Sequence, residues 1–174
     1  GESVGLYLAG VNTDGSKSGY TGNLESKGIM LTGITWQHNK NLKLQLWDQF
    51  TENIFDSVLL QADYEYSLAN TSKFVAAAQI VRQDAVNEGG NADPAKTYYK
   101  KQSKAYTFGS KVGWKNDRWE TTLNYNRITK HGRYLMPREW GRDPFFTFLP
   151  RERNEGLGDV HAIVGKVNYT IPSL

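Results

Sequence analysis

The chain has 174 residues, no cysteine, and 21 lysines and arginines against 18 acids, for a net charge of +3. That length holds one domain with a real core. The missing cysteines exclude a disulfide scaffold, a thiolate metal site and a Cys nucleophile, and the interspersed charges, with no dense basic run, exclude a nucleic-acid footprint.

Aromatics at 13% sit beside a mean hydropathy of −0.60. No apolar run approaches the ~18 residues of a membrane helix, so helical spans are excluded. A membrane β-barrel is not, because its alternating strands produce no hydropathy peak. The opening GESVGLYLAG lacks the basic start and apolar core of a signal peptide, which fits a mature exported protein, a fragment or a cytosolic chain.

Period-two alternation predicts the strands in chain order. After segments near 2–10 and 28–38, residues 42–46 alternate as Leu, Lys, Leu, Gln, Leu. In 58–67, Val58, Leu60, Ala62, Tyr64 and Tyr66 oppose Leu59, Gln61, Asp63, Glu65 and Ser67. In 74–81, Phe74, Ala76, Ala78 and Ile80 oppose a less polar row of Val75, Ala77, Gln79 and Val81. In 105–114, Tyr106, Phe108, Val112 and Trp114 oppose Ala105, Thr107, Gly109 and Lys111. Trp119, Thr121, Leu123 and Tyr125 oppose Glu120, Thr122, Asn124 and Asn126, and Ile163, Val167 and Tyr169 oppose Ala162, Val164, Lys166 and Asn168. About eight strands of roughly 9–12 residues result, longer than the usual soluble strand and matched to a tilted membrane-spanning one.

The connections run long (11–27), tight (38–41), medium (51–57), tight (68–72), long (84–103), tight (115–118) and long (130–158). That parity is expected of a barrel with bare turns at one end and functional loops at the other. Trp36, Trp114 and Trp119 flank tight turns, while Tyr106, Tyr125 and Phe50 lie toward the opposite strand ends, the placement of two interfacial girdles.

The most informative stretch is 133–162, which carries five arginines, three glycines and three phenylalanines between two strands. Loops of such length are functional or disordered, and large aromatics argue against disorder. Its runs Arg138-Glu139-Trp140-Gly141, Pro144-Phe145-Phe146-Thr147 and Leu149 through Gly156, followed by Gly158-Asp159-Val160, resemble the long loop of OprD-type outer-membrane porins. The resemblance implies an antiparallel transmembrane β-barrel of about eighteen strands, of which this chain would be a later part. The ending YTIPSL, with Pro172 where a strand should finish, agrees with a segment short of the closing strands. The resemblance further implies a channel for passive, partly selective diffusion of small polar or carboxylate-bearing solutes, with basic rows guiding carboxylates.

In such a channel the working residues face the lumen or sit on a loop folded into it. The polar rows offer Lys43, Gln45, Gln61, Asp63, Glu65, Lys111, Glu120 and Lys166, with Gln79, Asn124 and Asn168 beside them. The loop offers Arg133, Arg138, Arg142, Arg151 and Arg153, answered by Glu139, Asp143, Glu152, Glu155 and Asp159. Pairing among these charges to hold the loop shut is the competing reading for any one residue. His38, His131 and His161 are isolated and no catalytic motif occurs, so neither an enzyme, a metal site nor a cofactor is expected. The expected partners are outer-membrane lipid and small solutes, with a homo-oligomer or the remaining barrel segment left open.

Two other architectures fit the alternation. A complete eight-stranded adhesion or structural barrel would need a filled interior, which Gly109, Ala105, Ala162 and Thr122 are too small to supply. A soluble lipocalin-like barrel would turn its apolar rows inward and remain in buffer, where a porin needs detergent.

Overall fold

A computed structural model describes residues 18–20, 22–137, 142–150, 154 and 156–171. The described residues form seven strands: β1 Ile29–Gln37, β2 Leu42–Thr51, β3 Phe55–Ser67, β4 Lys73–Ala85, β5 Lys104–Lys115, β6 Trp119–Ile128 and β7 Val160–Tyr169. They lie in one antiparallel sheet in chain order, each paired with its sequence neighbours. The strand expected near 2–10, and Pro172, lie outside the described residues.

Asparagine shapes the tight turns, because its short side chain can mimic a backbone turn. Asn39 Oδ1 accepts from the amides of Asn41 and Leu42 at 2.8 and 3.0 Å. Asn116 Oδ1 does the same for Arg118 and Trp119 at 2.9 and 2.8 Å. Between β3 and β4, Asn70 and Thr71 turn the chain at φ of 58° and 62°. Thr71 is strained there for a β-branched residue, and its hydroxyl donates to Asp117 of the adjoining turn at 3.2 Å.

One connection differs from expectation. The medium loop over 51–57 is only residues 52–54, because the strands continue to Thr51 and restart at Phe55. Asn53, at φ 62°, closes it, so loop length at that end of the sheet is not uniform. The sequence hides this because Asp56 and Ser57 read as loop while holding strand register with Phe50 and Gln49.

The two sheet faces differ in kind. One carries Ile34, Leu60, Leu123 and Ile163, exposed by 64, 52, 57 and 71%. In strand register these join rows such as Leu46, Leu60, Ile80 and Phe108 across four strands. A continuous apolar surface of this extent is not left against water by a soluble protein. Trp36, Trp114, Trp119 and Tyr169 stand at its short-turn border, all exposed, while Phe50, Tyr106 and Tyr125 lie nearer the other border.

The opposite face is partly covered by the described residues of the long connection 129–159 and carries the buried groups of the wall. One cluster joins Val81, Ala105 and Ile128 of the wall to Tyr134 and Phe145 of that loop. A second joins Leu24, Ile54, Phe55, Tyr99 and Leu135. It ties the segment before β1, the 52–54 turn, the 86–103 connection and the start of the 129–159 loop together beyond the strand ends.

Candidate functional site

The loop-covered face is layered along the strands. Nearest the short turns it is ionic: Glu65 takes Lys73 at 3.2 Å and also pairs with Lys115, beside which Glu120 stands in cross-strand register. The next layer sets Lys43, Asp63, Ala77, Lys111 and Asn124 in one register row, with Lys43 Nζ 3.6 Å from Asp63. Above it lies an amide layer, Gln45, Gln61, Gln79 and Asn126, with Gly109 between the last two. Above that runs an apolar stripe of Trp47, Leu59, Val81, Ile128 and Val160, interrupted by Thr107.

Wall side chains hold the loop by its backbone. Buried Gln83 donates to Leu135 O at 2.8 Å and accepts from Leu135 N at 2.9 Å, a two-bond clamp like that of a paired strand. Gln79 donates to Pro144 O at 2.9 Å, and Lys166 to the carbonyls of Phe146 and Phe148 at 2.7 and 3.2 Å. The Tyr99 hydroxyl donates to Gln83 O at 3.4 Å, and burial pushes its phenol well above the usual tyrosine range.

The small residues of this face make room for the loop. A Cβ on Gly109 would meet the Phe146 ring at 3.3 Å, and Ala105 is fully covered. This explains the less polar row of β4, since Val81 packs under the loop.

The predicted site residues therefore fall into three groups. Lys43, Gln45, Gln61, Asp63, Glu65, Lys111, Glu120 and Lys166 all lie on the loop-covered face, in the alternation expected of them. Gln45 and Gln61 both donate to Asp63, at 2.9 and 3.0 Å. Lys111 stands 5.3 Å from the Phe146 ring centroid, so two of the three lysines, Lys111 and Lys166, face the loop.

Of the loop candidates, Arg133 donates to Gly156 O at 2.6 Å and Arg142 stacks 5.6 Å over the Phe148 ring. Asp143, nearly buried, accepts from the Phe145 amide at 3.3 Å. Asp159 pairs with Arg127 of β6, whose guanidinium holds the carboxyl below its usual range. Arg138, Glu139, Arg151, Glu152 and Arg153 lie outside the described residues.

Sequence reading missed Gln83, Gln49 and Trp47. Gln83 lay just past the recognised alternation of β4, and its period-two spacing from Gln79 and Val81 was the available signal. His161 stands on the outer face, its Nδ1 2.8 Å from the Tyr125 hydroxyl. Among the described residues no cluster of metal-ligand side chains occurs.

A long-stranded antiparallel wall with an apolar outer band and a loop folded on its polar face is the architecture of an outer-membrane porin barrel. Solved structures agree. OccAB2 of Acinetobacter baumannii superposes with a TM-score of 0.67 at 16% identity, over 88% of this chain and 37% of that one. OccK10 (OpdN) of Pseudomonas aeruginosa gives 0.64 at 12% identity, over 81% of this chain and 38% of that one. OccK8 (OprE) of the same organism gives 0.58 at 12% identity, over 76% and 34%. These are Occ/OprD-family porins, the group the loop motifs resemble, and at such identities the likeness is one of fold. The chain spans less than two fifths of the length of each. No protein-family model and no curated protein sequence matches it.

Proposed function

We propose that this chain supplies part of the wall and the constricting loop of an outer-membrane channel that passes small polar solutes by diffusion. The observation that carries the reading is the fixing of the 129–159 loop on the polar face by Gln79, Gln83 and Lys166, opposite a bare apolar face fitted to lipid. A loop held this way narrows a water-filled lumen at a fixed place. The remaining wall would come from further strands beyond β1 and β7, and the short turns would face the periplasm.

Selectivity in this reading comes from the ionic layers. Lys43, Asp63, Glu65, Lys111 and Lys166 together give a lumen of mixed sign, suited to solutes carrying a carboxylate or both charges. Arg133, Arg142 and Asp143 would act at the loop, with Arg138, Glu139, Arg151, Glu152 and Arg153 as further constriction candidates. Deleting residues 137–153 from the complete protein should raise single-channel conductance and reduce discrimination between anions and cations. Unchanged conductance and selectivity in planar bilayers would place the loop outside the pathway and overturn the proposal.

A further inference from the structure

The apolar stripe on the loop-covered face is only partly covered. The loop buries it at Val81 and Ile128, but Trp47 remains 39% exposed. Between this uncovered end and the loop lies a recess of about 290 Å³, with Trp47, Leu59 and Met136 among its walls, Gln45, Gln49 and Gln61 along its rim, and Arg142 of the loop beside them. That volume is at the small end of small-molecule sites, which run from about 300 Å³.

The indole is seated rather than loose. Trp47 lies directly opposite Gly33 in strand register, and a Cβ at position 33 would fall inside the six-membered edge of the ring. Glycine thus lets the indole lie flat on β1, backing one face with main chain and leaving the other to the recess. An open aromatic face suits the apolar face of another ring.

The rim has a definite polarity. Both Asp63 oxygens are acceptors, so Gln45 and Gln61 must turn their amide nitrogens toward it, as the 2.9 and 3.0 Å contacts require. Their carbonyl oxygens are left on the other side. Gln61 Oε1 takes one bond from Gln79 at 2.8 Å and keeps a second lone pair. Gln45 Oε1 meets the indole nitrogen only at 3.5 Å. Unlike a carboxylate, a hydroxyl can donate to these carbonyls, and it can also accept from Arg142 and Gln49 of the same lining.

We infer that Trp47, Gln45 and Gln61 form a binding station for a single-ring polyhydroxylated solute of the pyranose class, its C–H face on the indole and its hydroxyls on the glutamine carbonyls. The station rests on the channel reading for its place in the pathway and adds an aromatic step between the ionic layer and the loop.

Saturation-transfer NMR on the complete protein in detergent micelles tests it with three probes. Methyl β-D-glucopyranoside has both ring and donors, sorbitol has donors without a ring, and benzoate has a ring without donors. The glucoside should show transfer to its ring C–H protons and exceed both others. Trp47→Ala should weaken it about tenfold. Gly33→Val, which keeps the indole but unseats it, should do the same in protein shown folded by heat-modifiable gel migration. Equal signals from sorbitol, preferred binding of benzoate, or full binding by a folded Gly33→Val protein would overturn the inference. Conductance in plain KCl is read separately, so a protein that binds the glucoside but forms no channel refutes the functional reading and leaves the station standing.

Discussion

Leu44 and Gln45 are adjacent residues of β2 and point to opposite faces, Leu44 into the row with Ala62 and Ala78, Gln45 into the amide layer. An arginine at the middle of a lipid-facing wall costs about 2–4 kcal/mol. Leu44→Arg should block assembly, while Gln45→Arg should assemble normally; both are scored by heat-modifiable migration. Equal behaviour of the two would mean the faces are misassigned. Gln83 makes a sharper case. Gln83→Met keeps the volume but strands the amide and carbonyl of Leu135, at about 1–3 kcal/mol for each group left buried and unpaired. The 129–159 loop should then become cleavable in limited proteolysis while the wall persists. Side-chain direction was readable from period two alone, since alternation fixes every face once one is known. The clamp was not, because nothing local to Gln83 announces a partner at Leu135.

Loops and strands were legible to different degrees. β4, β5 and β6 appear as the alternation predicts, a little longer at their ends. The 52–54 turn was overestimated because register, and not polarity, extends β3 to Phe55. The seating of the 129–159 loop depended on small wall residues whose meaning lies in what covers them. Gly109→Val should push Phe146 off the wall and further into the lumen, read as lower conductance in the complete protein; unchanged conductance would mean that the ring does not rest on position 109. The loop's far end is held by Asp159 and Arg127. Because this carboxyl is lowered in the folded state, the pair's contribution is full above the usual carboxylate pKa of about 3.9 and fades as pH falls through the lowered value. At neutral pH, Asp159→Asn should therefore speed hydrogen exchange at the residue 159 amide, which bonds to Thr129 O at 3.2 Å. As the pH falls below about 4, the difference from the parent should shrink.

At the scale of the molecule, the loop-covered face is sorted by depth, with ion pairs toward the short-turn end, amides in the middle and an apolar stripe above them. Changing Lys43, Lys111 and Lys166 together to Gln should shift the reversal potential in a salt gradient toward cation preference. The shift should shrink toward 1 M salt, where the Debye length is about 3 Å. A reversal potential unmoved at low salt would remove these lysines from the pathway. Turn parity indicates which strand end a residue lies toward, but the assembly of charges and amides into separate layers depends on cross-strand register, which pairing with neighbours sets.

The anchoring of the loop has a consequence for how such a channel can diversify. Gln79, Gln83 and Lys166 grip carbonyls, which every residue type possesses. The loop's route is therefore written in the wall, and much of its own sequence is free to be rewritten. A lineage could exchange side chains at the narrowest point, and with them the solutes admitted, without relearning how to fold the gate.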